Sequence, residues 1–289
     1  MAPAMPHVEG VEHRYAQVNG FRMHYAEAGS GDPVILQHGW PQHWYAWRNQ
    51  IPALAERYRV IVPDLRGYGW SEAPRSGYEK AQFAADVVAL MDELGIERAR
   101  YAGHDWGAAA GWILAMDHPE RVERVAGLSV PPPWRKGPPP PQAIAVFLTY
   151  QSLISTPVLG AFTVRNGFGN RLMKTSRSVG EWTEQELAIY DQPWSEPGHD
   201  NAAVQTYRTF LTKEMPAQLR GELSGKRLNV PSLVIMGRRE LLATGLQPEV
   251  YEKKGDDVRT KFVDSNHWAA EERPEDVTRL LLDFFADGS

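Results

Sequence analysis

The stretch Tyr101-Ala102-Gly103-His104-Asp105-Trp106-Gly107 constrains this chain more than any other. A short apolar segment, Ala99 to Gly103, runs into it. Ala108-Ala109-Ala110-Gly111-Trp112-Ile113-Leu114-Ala115-Met116 follows and reads as a helix. The heptapeptide is therefore expected at a strand-to-helix turn. Gly103-x-Asp105-x-Gly107 has the spacing of a nucleophile elbow, with Asp in place of the commoner Ser. The flanking glycines let the chain turn sharply and let strand and helix approach closely. Such a turn lifts one side chain above the sheet, beside the first free N–H groups of the helix. A carboxylate there is an oxygen nucleophile at neutral pH, needs no activating base, and forms an ester when it attacks carbon. The competing reading is a helix N-cap, a position that Asp also favours.

The rest of the chain alternates strands and helices. Asn19-Gly20 is a hairpin signal between strands at His13–Val18 and Phe21–Ala26. Strands are expected at Pro33–Gln37, Tyr58–Pro63, Val122–Val130, Val230–Met236 and Val258–Val263. Helices are expected at Tyr45–Glu56, Lys80–Leu94 and Pro274–Phe285. That alternation argues for a mostly parallel sheet covered on both faces, with a ligand site beyond the carboxyl ends of the strands. His38-Gly39-Trp40-Pro41, Asp64 and Asp105 all follow strand ends and should share that rim. The pattern breaks at Pro131–Pro141, a proline-rich, extended connector. Helical signals then continue to about Leu223. The expected organisation is a core over 1–132, a helical lid over 133–225 and the rest of the core over 226–289.

Composition narrows the function. The 289 residues carry a formal net charge of -5 and no basic run, which argues against nucleic acid as a partner. There is no cysteine, so thiol nucleophiles, disulfides and zinc–thiolate sites are excluded. No apolar leader or membrane-length stretch is visible, and a cytoplasmic protein without membrane association is expected. Several of the ten tryptophans, Trp40, Trp44, Trp47 and Trp106, flank the candidate site and point to an apolar ligand, although Trp44 and Trp47 read better as core.

An aspartyl ester must be hydrolysed, which calls for a base, a group that orients it, and oxyanion donors. In the elbow scheme the order is nucleophile, acid, histidine. His267, after the last strand, is the expected base. Glu240, the carboxylate in the loop after Val230–Met236, is the expected orienting acid. Its alternative role is an ion pair with Arg238 or Arg239, and Asp264 is its rival. The N–H groups of Trp106 and Trp40 are the expected oxyanion donors. Pro41 is expected to hold the Trp40 loop, and His38 and His104 to brace these loops rather than react. Asp64 and Arg66 are expected to pair at the rim. No metal or organic cofactor is called for.

These motifs resemble a known family. His38-Gly39-Trp40-Pro41, Trp44-Tyr45-x-Trp47-Arg48-x-Gln50-Ile51-Pro52-Ala53-Leu54, Asp64-Leu65-Arg66-Gly67-Tyr68-Gly69-x-Ser71, Gly103-His104-Asp105-Trp106-Gly107 and His118-Pro119-Glu120-Arg121-Val122 are similar to those of epoxide hydrolases of the α/β-hydrolase fold. Haloalkane and fluoroacetate dehalogenases are related to these. The resemblance implies Asp105 as nucleophile, His267 as base and Glu240 as acid, where relatives more often carry Asp followed by Pro rather than Glu followed by Leu241. It further implies that lid tyrosines protonate the opening epoxide. Tyr207-Arg208 matches one of them. Counting back five residues from Gln151 for the other gives Val146, with Tyr150 the nearest tyrosine and a core role its alternative. The expected activity is hydrolysis of a lipophilic epoxide to a diol, a hydrolase reaction on an ether bond. Dehalogenation by the same Asp105 is the alternative, and a non-catalytic ligand receptor the third reading. A homodimer stays open.

Overall fold

The computed structural model describes residues 4–134, 141, 144, 147–240 and 248–287. The proline-rich run over 135–140, Val146 and Leu241 lie outside them. An eight-stranded sheet forms in the order β1-β2-β4-β3-β5-β6-β7-β8. Its strands are β1 (Glu12–Val18), β2 (Phe21–Ala28), β3 (Pro33–Gln37), β4 (Arg59–Pro63), β5 (Ala99–His104), β6 (Val122–Leu128), β7 (Ser232–Gly237) and β8 (Val258–Val263). β2 is antiparallel to both β1 and β4, and β4 through β8 run parallel. The hairpin turns at Asn19 and Gly20, which both take positive φ. This is the backbone that matches the twist of the flanking strands.

The inner strands read as apolar runs because both faces are covered. Every residue of β5 and β7 is buried. One face packs the helices Lys80–Glu93 and Trp106–Asp117, through residues such as Val87, Leu90, Met91 and Trp112. The other packs Trp44, Trp47 and Leu54 together with Val277, Leu281, Phe284 and Phe285 of the closing helix Pro274–Ala286. The single helix expected over Tyr45–Glu56 is two pieces, a 3-10 turn Trp44–Trp47 and a short helix Ile51–Ala55. Pro52 explains the break: it has no N–H to give to the preceding turn.

Between β6 and β7 the chain is helical, with Pro157–Arg165, Phe168–Ser176, Glu184–Asp191 and His199–Thr209 as the longer pieces. A third apolar cluster joins this insertion to the carboxyl-end rim. It brings Ile154, Val164, Trp194, Ala202 and Tyr207 against Trp40, Leu65, Tyr68 and Trp106. Polar ties hold the same seam. Lys80 is buried, ion-paired with Glu214 at 2.7 Å, hydrogen-bonded to the Thr206 carbonyl at 3.2 Å, and 4.2 Å above the Trp106 ring. Removing one partner of such a pair strands the other charge. Lys80→Met is therefore expected to lower unfolding stability by about 3 kcal/mol, read as a shifted urea midpoint at constant slope. An unchanged midpoint would mean that the pair contributes nothing.

Candidate active site

Asp105 sits at the bend between β5 and the helix Trp106–Asp117, with φ 52° and ψ −117°. A non-glycine residue held there stores about 1–3 kcal/mol of backbone strain, which the surrounding packing must hold in place. The tightness of the bend is visible at Gly107, where a Cβ would overlap the Gln37 carbonyl. Gly39 is needed for a different reason: a Cβ there would occupy the position of the Asp105 carboxylate.

The Asp105 side chain does not cap its own helix. Its Oδ2 instead accepts the Trp40 N–H at 2.9 Å, and the Trp106 N–H is directed at the same carboxylate. The Trp40–Pro41 bond is cis. The other carboxylate oxygen, Oδ1, lies 3.9 Å from His267 Nε2. His267 Nδ1 is 2.9 Å from Glu240 Oε2, so the acid follows β7, the histidine follows β8, and the three side chains form one line. Asp264, the rival acid, is turned outward and pairs with Arg239 and Arg273, each at 3.0 Å.

The electrostatics follow from this geometry. Burial alone would lower the His267 pKa, but the Glu240 and Asp105 carboxylates overcome it and carry it up to about 9. Burial raises the Asp105 pKa, while His267 and the Trp40 and Trp106 N–H groups oppose that rise and favour the ionised form. The resting arrangement is an aspartate beside an imidazolium. Converting Asp105 to an ester deletes one of the three carboxylate charges that hold the proton on His267. The Asp105→Asn variant mimics that neutral state. In it, the His267 resonances should titrate at lower pH than in the wild type, by one unit or so. An unmoved midpoint would show that Asp105 does not act on the imidazole.

Around this line the structure places the remaining candidates. His38 Nδ1 donates to the Gly39 carbonyl at 3.0 Å, and its Nε2 accepts the Leu65 N–H at 3.0 Å, tying the loop after β3 to the loop after β4. Burial lowers its pKa and keeps it neutral. His104 Nε2 donates to the His267 carbonyl at 2.8 Å, which also accepts the Ser129 hydroxyl at 2.7 Å. Asp64 and Arg66 do not pair, contrary to expectation. Asp64 accepts from His24 and from the Trp44 and Trp70 N–H groups, at 2.7, 2.7 and 3.0 Å. Arg66 grips Asp86 instead. Trp44 and Trp47 are fully buried in the sheet core.

From the insertion, Tyr150 and Tyr207 meet above the carboxylate. Their rings are 5.9 Å apart, edge to face, and the phenols share a hydrogen bond. Tyr150 stacks on Trp40, and Tyr207 meets Trp40 and Trp106 edge-on. Burial pushes Tyr150 up to about 12 and raises Tyr207 well above the ordinary tyrosine value, and the Asp105 charge adds to both. Both phenols therefore stay protonated and can donate at neutral pH. Tyr150 lies in a π-helical turn, Phe147–Gln151. Sequence reasoning also missed Lys80, Ser129, Glu271 and Glu272. They look like ordinary polar residues until the fold buries them against partners remote in sequence.

Comparison with known proteins agrees with the fold and with the family resemblance. The α/β-hydrolase fold family matches residues 32–274. A soluble epoxide hydrolase of Corynebacterium sp. (strain C12) is 34% identical, over 96% of this chain and 98% of that protein. The chain belongs to the epoxide hydrolase family of the α/β-hydrolase fold. Epoxide hydrolase A of Mycobacterium tuberculosis is 33% identical, over 94% of this chain and 96% of its own. Among solved structures, epoxide hydrolase CorEH without ligand matches with a TM-score of 0.84 at 32% identity, covering 96% of this chain and 99% of that one. Epoxide hydrolase VrEH1 from Vigna radiata matches with a TM-score of 0.80 at 29% identity, over 96% and 98%. Among the described residues, no helix is long and apolar enough to cross a membrane.

Proposed function

We propose that this family member hydrolyses a lipophilic epoxide to a vicinal diol through an ester on Asp105. The observation that carries the reading is the convergence of two protonated phenols and one carboxylate on the same space. Asp105 Oδ1 attacks an epoxide carbon, the C–O bond breaks, and Tyr207 or Tyr150 gives its proton to the departing oxygen. The ester has no negative charge, so His267 releases its proton, which restores the tyrosine through solvent. Neutral His267, held by Glu240, then takes a proton from water as that water attacks the ester carbon. The oxyanion forms at Oδ2, which already accepts the Trp40 N–H, and the Trp106 N–H directed at the same carboxyl group assists. Collapse expels the diol oxygen, which takes the carboxyl proton and leaves aspartate and imidazolium as at the start. The 133–225 segment acts as the lid, Pro41 holds the Trp40 loop, and the enzyme works in the cytoplasm, as a homodimer if it assembles at all.

The direct test is diol formation from styrene oxide and a panel of aliphatic epoxides. Wild type should turn over members of the panel and Asp105→Ala none. A wild type inert across the panel would defeat the proposal.

Dehalogenation keeps one observation in its favour. The indole Nε1 atoms of Trp40 and Trp106 are buried with no hydrogen-bond partner among the described residues, and such donors suit a departing halide. Haloacetates fit less well, because the buried cations Arg66 and Lys80 are already paired with Asp86 and Glu214. Halide release from haloalkanes decides this reading.

A further inference from the structure

The segment that carries His267 runs into the short helix Ala269–Glu272, which ends on two buried acids. Glu272 is saturated with donors. Its Oε1 accepts the N–H of Asn266 at 3.1 Å and of Trp268 at 3.2 Å, the two residues that flank His267. Its Oε2 accepts the Ser178 N–H at 2.9 Å, the Ser178 hydroxyl at 2.6 Å and the Val179 N–H at 2.9 Å. Those last three donors belong to the helical insertion, in the turn after the helix Phe168–Ser176. A carboxylate offers about four lone-pair positions, so no capacity is left for another role.

Other contacts tie the insertion to the base loop and to the loop that carries Glu240. Trp268 Nε1 donates to the Ser176 hydroxyl at 2.9 Å, Arg239 to the Ser178 carbonyl at 3.2 Å, and Arg177 to the Glu271 carbonyl at 3.3 Å. The proposed chemistry uses Asp105, His267, Glu240 and the tyrosines, and asks nothing of an acid at 272. A buried charge with five donors, split between the base loop and the insertion, calls for its own explanation.

We propose that Glu272 is a positioning residue, fixing the backbone on both sides of His267 and linking it to the Ser176–Val179 turn. The imidazole is then aimed correctly only while the insertion is seated. The proposal rests on His267 acting as the base. The charged and titratable groups facing the imidazole are Glu240 after β7, Asp105 after β5, His104 at the end of β5, and Glu272 itself. Loss of the Glu272 charge removes one of three carboxylates that favour the imidazolium, so His267 must titrate lower.

The test uses the full chain and rapid-quench measurement of ester formation and ester hydrolysis on a reactive epoxide, across a pH series. In Glu272→Gln, hydrolysis should fall about tenfold, the loss expected when a charge-assisted hydrogen-bond set is weakened. Its pH midpoint should move down, while ester formation keeps the wild-type rate. Ser178→Ala keeps the charge and removes one donor from the insertion. It should slow hydrolysis less and leave the midpoint in place. Wild-type hydrolysis with an unmoved midpoint in Glu272→Gln overturns the proposal, as does an equal fall of both steps. Should Glu272→Gln not fold, wild-type hydrolysis in Ser178→Ala overturns it. Failure of the underlying reading looks different: His267→Gln would then hydrolyse its ester like wild type, whatever Glu272→Gln does.

Discussion

His267→Gln should stop turnover and trap one equivalent of substrate on the protein. Glutamine removes the base but leaves Asp105, Trp40, Trp106 and the tyrosines in place, so ester formation continues and hydrolysis does not. The loss in kcat should reach about 10,000-fold or more, as when one member of a nucleophile–base set is deleted. Intact mass after incubation with an epoxide should show the protein shifted by one substrate mass, and digestion should place the increment on the Asp105 peptide. The distance of 3.9 Å between His267 Nε2 and Asp105 Oδ1 fits a water held between base and ester rather than direct contact. Rapid turnover without an adduct would mean that the imidazole is not the base.

Tyr207→Phe should separate the two electrophile classes. Opening an epoxide leaves an alkoxide, a poor leaving group that needs a proton as the bond breaks. Loss of a positioned general acid is expected to reduce ester formation by about 100-fold, and the double variant with Tyr150→Phe by more. A haloalkane releases a stable anion and needs no proton. Any halide displacement by this protein should therefore survive Tyr207→Phe. The fully buried position of Tyr207 against Trp40 and Trp106 means that phenylalanine replaces it with little loss of packing. Equal losses on both substrate classes would point to a packing role for Tyr207 instead of acid catalysis.

The rim was legible in the sequence because strand ends punctuate it. Asp105, Glu240 and His267 each follow a strand, and a parallel sheet brings such ends together. Glu240 was separable from Asp264 on chain direction alone, since three residues of extended chain do not fold back onto a ring. The partners of Asp64 and Arg66 were not legible. Two residues apart after β4, they look like a local pair, yet Asp64 turns inward to His24 and two backbone N–H groups while Arg66 reaches Asp86. Tyr150 was ambiguous because the spacing from Gln151 marks Val146, and only the fold brings the Tyr150 ring against Tyr207 and Trp40. Glu271 and Glu272 were invisible for a different reason. In sequence they are the acids of a short polar helix, and many of the donors that hold them come from remote segments: Ser178 and Val179 of the insertion for Glu272, and Gln42, Arg48 and Tyr190 for Glu271.

The account turns on which atom supplies the second oxygen of the diol. A single turnover with enzyme in excess over epoxide, run in water enriched in ¹⁸O, answers this directly. Attack by Asp105 predicts an unlabelled diol from the first turnover and one ¹⁸O incorporated into the Asp105 side chain, located by peptide mass. A first-turnover diol that carries ¹⁸O, with Asp105 unlabelled, would mean that water attacks the epoxide itself and would contradict the ester mechanism.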